Sequence, residues 1–424
     1  MHAVNRLSAK QGFLYGMMGL PLAFVALPLY VILPNHYARE FGVPLTTLGV
    51  LLLAARLFDA FIDPLIGRWC DRLFSRSARA VLVLGALAGV LLAAGFGLLF
   101  FPATRSPTPL LAWASVFLVI TYAAYSALSV AHQSWGAMLG GDETQRSRIV
   151  AWREGLGLLG VVLASVTPLA IGLAPTVALF WIALVVGWGA WARAPQPQAS
   201  TVAHPGDIWL PFRRPAFRRL LGVFVLNGIA SAIPATLVLF FVQDRLQAPK
   251  AMESAFLGIY FVAAALSIPL WLRVVAHCGL ARSWMFGMAL AVAAFIGATR
   301  LGSGDTLAFA VVCTLSGVAL GTDLALPGAM LAGVISDSGD SGRSEGAYFG
   351  WWNFATKLNL ALAAGLALPL LGRFGYAPGA RDVVALEALT AAYCLLPCGL
   401  KLAALAALFT LIIRPGKIRR TPCL

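Results

Sequence analysis

Arg56, Asp59 and Asp63 interrupt an otherwise apolar run, Ala55-Arg56-Leu57-Phe58-Asp59-Ala60-Phe61-Ile62-Asp63-Pro64. Spacings of three and four put all three side chains on one helical face, because a helix turns by about 100° per residue. Two carboxylates one turn apart repel each other when both are ionised in a low dielectric, so the pair calls for a cation. A proton, a sodium ion or Arg56 as a fixed counter-ion would serve. A purely structural Arg–Asp pair accounts for one carboxylate and leaves the second unexplained. Lys357 is a second isolated charge, about ten residues into an apolar run that also holds Trp352 and Asn353. Snorkelling to an interface is awkward from that depth.

A further apolar run carries Tyr122, Tyr125, Ser126, Ser129, His132, Gln133 and Trp135, and Arg153 opens the next. Aromatic rings with hydrogen-bonding groups suit stacking on a sugar ring or holding an amphiphile. Arg56, Tyr122, Ser129, Gln133, Arg153, Trp352 and Lys357 are therefore the candidate substrate residues, with Arg153 and Trp352 foremost. Asn227 is a further polar candidate. Asp323 is another buried acid, either a relay group or a partner for Lys357. His132 is a proton carrier or a satisfied structural histidine.

The elements that hold these residues must be membrane helices. Of 424 residues, 60% are hydrophobic and 11% charged, whereas soluble domains carry about a quarter charged residues. No Asp, Glu, Lys or Arg occurs between Arg79 and Arg105, between Arg105 and Asp142, or between Glu154 and Arg193. A helix crosses the hydrocarbon core in about 20 apolar residues, and without water the backbone must satisfy itself within the helix. Apolar runs predict twelve spans: 12–34, 43–66, 80–102, 110–138, 152–173, 176–192, 219–243, 254–275, 283–301, 306–334, 346–371 and 385–413. The fifth and sixth are separated near Pro175. The first run lacks a cleavage site followed by a polar domain, so a retained helix is expected and not a signal peptide.

The formal charge of +14 would suit nucleic acid, but its placement follows topology. One side of a twelve-span arrangement collects 21 of the 31 Lys and Arg residues and the other side seven, while Arg56, Lys357 and Lys401 fall inside spans. The positive-inside rule puts both termini in the cytoplasm. The six cysteines show no metal-ligand spacing, and Cys394 and Cys398, one turn apart, read as packing residues.

The longest hydrophilic stretch between spans divides the chain into an N-terminal six-helix half (1–192), a cytoplasmic central loop (193–218) and a C-terminal six-helix half (219–424). The second span is followed by Gly67-Arg68-Trp69-Cys70-Asp71-Arg72, which resembles the G-x-x-x-D-R signature of the major facilitator superfamily. Gly67, Asp71 and Arg72 would act as a conformational latch, the acid holding a neighbouring helix through an arginine. With R-x-x-D-x-x-x-D-P before it, the pattern is similar to the glycoside–pentoside–hexuronide:cation symporters, the melibiose permease family. Asp142, Arg146 and Arg153, and Lys357 in its span, also fall where that family has such residues. The resemblance implies Asp59 and Asp63 as cation ligands and Lys357 as a cavity charge.

The chain departs from the family pattern in three places. An acid of the first span is missing near Pro21 and Leu22, one of the fourth is replaced near Ser129, and an amide before the second aspartate is Ile62. Fewer hard oxygens favour a proton over sodium, which takes about six ligands. Loss of the first-span acid also makes a simple galactoside a poor fit.

Gly302-Ser303-Gly304-Asp305 matches the G-x-G-D of intramembrane proteases, but a turn accounts for it. No Walker, zinc-protease or dinucleotide pattern occurs. The expectation is an all-α inner-membrane protein of the major facilitator fold, a cation-coupled symporter and not an enzyme, with no cofactor beyond H+ or Na+. It would be a monomer surrounded by membrane lipid, taking a small-molecule substrate and no nucleic acid. Transport of a lipid-like amphiphile is the alternative. A non-transporting scaffold or receptor would gain nothing from three charges in one span.

Overall fold

The computed structural model describes residues 7–197, 207–376 and 379–415. Part of the central loop, and Arg6, Lys417, Arg419 and Arg420, which count among the 21 basic residues of one side, lie outside the described residues. Every regular element among the described residues is helical. Nine of the helices are long and apolar enough to cross a membrane by length and composition. The other long helical stretches are those with the polar groups. Leu45–Phe74 carries the aspartates, Glu345–Arg373 carries Asn353 and Lys357, and the first stretch is broken into pieces.

That first stretch runs as Ala9–Gly16, Gly19–Leu27, a π-turn over Pro28–Ile32, and Leu33–Glu40. Proline explains the π-turn. Pro34 has no N–H and its ring crowds the carbonyl four residues earlier, so the ladder widens just before it, and Leu33 N–H bonds to Pro28 O. Pro397 repeats the arrangement, with Leu396 N–H on Ala391 O. Val383–Thr390 thereby continues through Ala391–Leu395, Leu396–Leu408 and Phe409–Ile413 as one helical stretch.

Two helices begin or end differently from the sequence expectation. Glu143–Ala170 starts well before residue 152, because the Asp142 carboxylate caps it, accepting Gln145 N–H at 2.7 Å. Leu45–Phe74 continues past residue 66, so Gly67 to Arg72 lie on a helical extension and not in a loop. The fifth and sixth helices part at Gly172, whose φ of 86° needs no Cβ. Gly302 to Asp305 form a turn closed by Gly302 N–H on the Asp305 carboxylate at 2.8 Å.

By contacts the chain divides into two units, Met1–Arg213 with Ala332–Phe354, and Arg214–Leu331 with Ala355–Leu424. Each buries aromatic side chains at its centre, Trp135 and Trp191 in the first and Trp284 in the second. Outward faces are apolar. Val90, Val185, Leu266 and Leu307 are each more than two-thirds exposed, which suits lipid and not water as the solvent.

Close helix packing in the first unit rests on small residues. Gly346 and Gly350 are one turn apart on Glu345–Arg373, and Leu45–Phe74 passes directly over them. A Cβ on Gly350 would lie 2.6 Å from Asp63 O and 2.8 Å from Pro64 Cα, and Gly67 and Gly346 face each other backbone to backbone. In lipid, van der Waals contact through such residues is a main source of helix association.

Candidate cation and substrate site

The Asp59 and Asp63 side chains are both buried, at 2% and 0% exposure. Asp59 Oδ1 accepts from the Ser126 hydroxyl at 2.8 Å, across to the Pro107–Met138 helix. One turn before Ser126 lies Tyr122, whose hydroxyl sits beside the Arg56 guanidinium and the Asp59 carboxylate. Tyr125 lies in the combined field of Asp59, Asp63, Glu154 and Arg153. Three helices of the first unit thus converge on the carboxylate pair. Arg56, a permanent cation near Tyr122, is itself exposed. The oxygens brought together here include the two carboxylates and the Ser126 and Tyr122 hydroxyls. Ser126 was legible as a polar residue in an apolar run, but only its facing Asp59 shows what it does.

Further along the same helix, Gln133 Nε2 donates to Ser129 Oγ at 2.7 Å and to Asn353 Oδ1 at 3.3 Å. Trp352 beside Asn353 is 6% exposed. Ser129 and Gln133 share a helix face with Tyr122 and Ser126, the four following one another at spacings of three or four residues. Arg153 is engaged differently. Its Nε and Nη2 donate to Glu154 Oε1 at 2.9 and 2.5 Å, and its guanidinium stands beside Tyr15.

His132 is a structural clasp. Its Nε2 donates to Tyr15 O at 2.8 Å, the Tyr15 hydroxyl donates to His132 O at 3.0 Å, and the rings stack at 4.3 Å. The carbonyl partner places the proton on Nε2. The first helix is thereby fastened to Pro107–Met138.

Asp71 holds a helix, but not through an arginine. Its Oδ1 and Oδ2 accept the backbone N–H groups of Gly346 and Ala347 at 2.6 and 2.9 Å. These are orphan donors of the first turn of Glu345–Arg373, where the helix dipole favours an anion. Arg72 is exposed instead. Gly67 and Gly346 make the approach possible, since a Cβ on either would strike the other's carbonyl. Glu345 is fully buried and caps the same end, its Oε1 accepting Gly342 N–H at 2.6 Å. Burial, and then the Glu345 charge, hold the Asp71 carboxyl well above the usual carboxylate range against the pull of the Ala347 and Gly346 N–H groups. Burial likewise pushes Glu345 up to about 7, opposed by backbone N–H groups.

In the second unit Lys357 is half-buried. Asp323 is not its partner. Asp323 Oδ1 accepts from Asn227 at 2.9 Å and Trp284 at 2.8 Å, and Oδ2 from Ser231 and Lys401, both at 3.1 Å. Lys401 completes its own set on Asn227 Oδ1 at 2.8 Å and Ser231 Oγ at 3.0 Å. Lys401 was visible in sequence as a charge within a span, but nothing local named its partner.

Comparison with known proteins agrees with this architecture. Residues 12–414 match the family model described as MFS/sugar transport protein. The uncharacterized symporter YjmB of Bacillus subtilis (strain 168) is 23% identical over 418 residues, covering 89% of this chain and 86% of its own. A bacterial homologue of the iron transporter ferroportin, in an outward-facing state, superposes with TM-score 0.70 at 15% identity, over 96% of this chain and 99% of that one. FucP of E. coli, a fucose:proton symporter of the Major Facilitator Superfamily, superposes in its outward conformation with TM-score 0.67 at 13% identity, over 93% and 98%. The fold is that of the major facilitator transporters, and relatives and neighbours alike are transporters, not enzymes. A multi-pass protein of the inner membrane, surrounded by lipid and moving a small molecule, follows from the family together with the apolar helices. The chain belongs to the MFS/sugar transport protein family.

Proposed function

We propose that the protein is a proton-coupled symporter of a sugar, glycoside or related small polar solute. One observation carries this above others: two carboxylates, Asp59 and Asp63, are buried one helical turn apart, with the neutral Ser126 hydroxyl as donor to Asp59. Burying both as anions is costly, and a bound cation relieves that cost. A proton needs only one carboxylate, whereas sodium takes about six oxygens, and the acids and the amide missing near Pro21, Ser129 and Ile62 leave fewer of them. Arg56, Tyr122, Ser129, Gln133, Arg153, Trp352 and Lys357 supply polar and aromatic surface for the solute. Cation binding neutralises the carboxylate pair and favours the solute, and the solute in turn favours the cation by the same factor.

Alternating access would rock the halves 1–192 and 219–424 about the central loop 193–218, over twelve spans with both termini cytoplasmic. Gly67 and Asp71 form the latch, the contact of the Asp71 carboxylate with the Gly346 and Ala347 N–H groups being released and remade in each cycle.

The test is uptake into proteoliposomes, after a thermal-shift screen of sugars and glycosides has found a substrate. Uptake is expected to follow an inward proton gradient with sodium absent. Asp63→Asn, nearly isosteric, is expected to keep downhill exchange and lose accumulation. A variant that still concentrates substrate with unchanged pH dependence overturns the site.

A further inference from the structure

A partly open cavity of about 300 Å³ lies within the second unit, lined by the Pro215–Phe240, Lys250–Cys278, Leu280–Ala298 and Thr306–Asp337 helices and the 383–413 stretch. Phe256, Phe261, Phe295, Tyr260 and Tyr393 form its walls, and the Lys401–Asp323 pair lies at one end. This volume is at the lower end of that of ligand pockets, which are mostly apolar with a few placed polar groups. We propose that the cavity is a binding pocket for a neutral amphipathic small molecule, with a compact aromatic or alicyclic body and a hydroxyl group. The site is separate from the carboxylate pair and does not depend on the coupling assigned to it.

Two observations select this class of ligand. The first concerns charge. Asp323 already receives four hydrogen bonds, and Lys401 already donates three. The polar end therefore offers no unsatisfied charge, and an ionic ligand would enter an apolar cavity uncompensated. The second concerns the tyrosines. Tyr393 is 4% exposed and is fixed by stacking on Phe241 at 4.3 Å, with Phe295 edge-on at 5.7 Å. Neither its hydroxyl nor that of Tyr260 has a hydrogen-bond partner among the described residues, and both residues line the cavity. Tyr260 is half-buried, and a hydroxyl that faces a largely apolar pocket gains from a partner there. A ligand hydroxyl placed between the rings satisfies it, while the phenylalanines cover the ligand's apolar body.

The experiment uses the full chain in lipid nanodiscs and titrates three probes of similar shape: 2-naphthol, neutral at pH 7, naphthalene and 2-naphthoate. The expected result is saturable binding of 2-naphthol, with naphthalene weaker by about fivefold, the worth of one neutral hydrogen bond, and no binding of 2-naphthoate. Tyr393→Phe is expected to weaken 2-naphthol about fivefold and leave naphthalene unchanged, which partition into lipid would not reproduce. Ala291→Leu, which narrows the cavity, is expected to weaken both. Non-saturable uptake, equal binding by wild type and Tyr393→Phe, preference for 2-naphthoate, or a co-purifying lipid that fills the cavity each overturns the proposal.

Discussion

Lys401 Nζ lies 3.1 Å from Asp323 Oδ2, joining the last helical stretch to Thr306–Asp337 inside the second unit. Their side chains are 5% and 14% exposed, so the pair is desolvated on both sides. Asn227, Ser231 and Trp284 complete the network, which connects four helical stretches through polar contacts alone.

Breaking this pair from one side strands a charge. Lys401→Met is expected to destabilise the protein by about 3–5 kcal/mol, because Asp323 keeps its burial and loses its cation. The double variant Lys401→Met/Asp323→Leu is expected to recover much of that loss. Thermal unfolding of the single and double variants in one detergent makes the comparison. Single variants as stable as wild type would show that the pair fastens nothing.

The contact of Asp71 with Gly346 and Ala347 makes a separate prediction. Asparagine keeps one acceptor oxygen and loses the charge, so Asp71→Asn retains at most part of two charge-assisted bonds. Such bonds contribute about 1.5–3 kcal/mol each, enough to shift a two-state equilibrium by about tenfold or more. Alkylation rates of a cysteine placed beside Gly346 are expected to rise, with equilibrium substrate binding largely intact. Loss of binding in a folded variant would place Asp71 in the substrate site instead.

The same helix end fixes a pH dependence. Glu345 titrates near 4.5 when free and is pushed up to about 7 when buried, and Asp71 shifts in the same direction. Between those values the folded protein holds protons that the unfolded chain has released. The contribution to stability is therefore fully present below about pH 4.5 and is lost as pH rises through 7. Glu345→Gln is expected to flatten the fall in unfolding temperature between pH 5 and pH 8. An unchanged slope in the variant assigns that pH dependence to other groups.

Packing of the aspartate helix is testable at Gly350. A methyl group there meets backbone atoms of Asp63 and Pro64, which cannot rotate away. Gly350→Ala is expected to destabilise by about 1–3 kcal/mol, as overpacking does, and to displace Asp63. Gly222→Ala, where a Cβ has open space, serves as the helical control and is expected to be neutral or slightly stabilising.

Much of this protein is legible without its tertiary structure, for local reasons. A charge in a membrane span is so unfavourable that Arg56, Asp59, Asp63, Lys357 and Lys401 announce themselves against an apolar background. Helical structure follows from the same hydropathy, since a backbone in lipid must satisfy itself within the segment. Polar extensions escape that logic. Glu143–Ala170 and Leu45–Phe74 both outrun their apolar stretches, because caps and side-chain contacts, not hydropathy, end a helix once it leaves the membrane.

Partnership is what only the tertiary structure decided. Asp323 pairs with Lys401 and not Lys357, Asp71 holds backbone N–H groups 275 and 276 residues away and not an arginine, and Ser126 answers Asp59. Each depends on the rotation and height of one helix against another, to a fraction of a turn. In lipid those are set by where small residues such as Gly67, Gly346 and Gly350 let backbones touch. A hydrophobic pattern is the same for every rotation that keeps a helix in the membrane, so it names the charged residues but leaves their partners open.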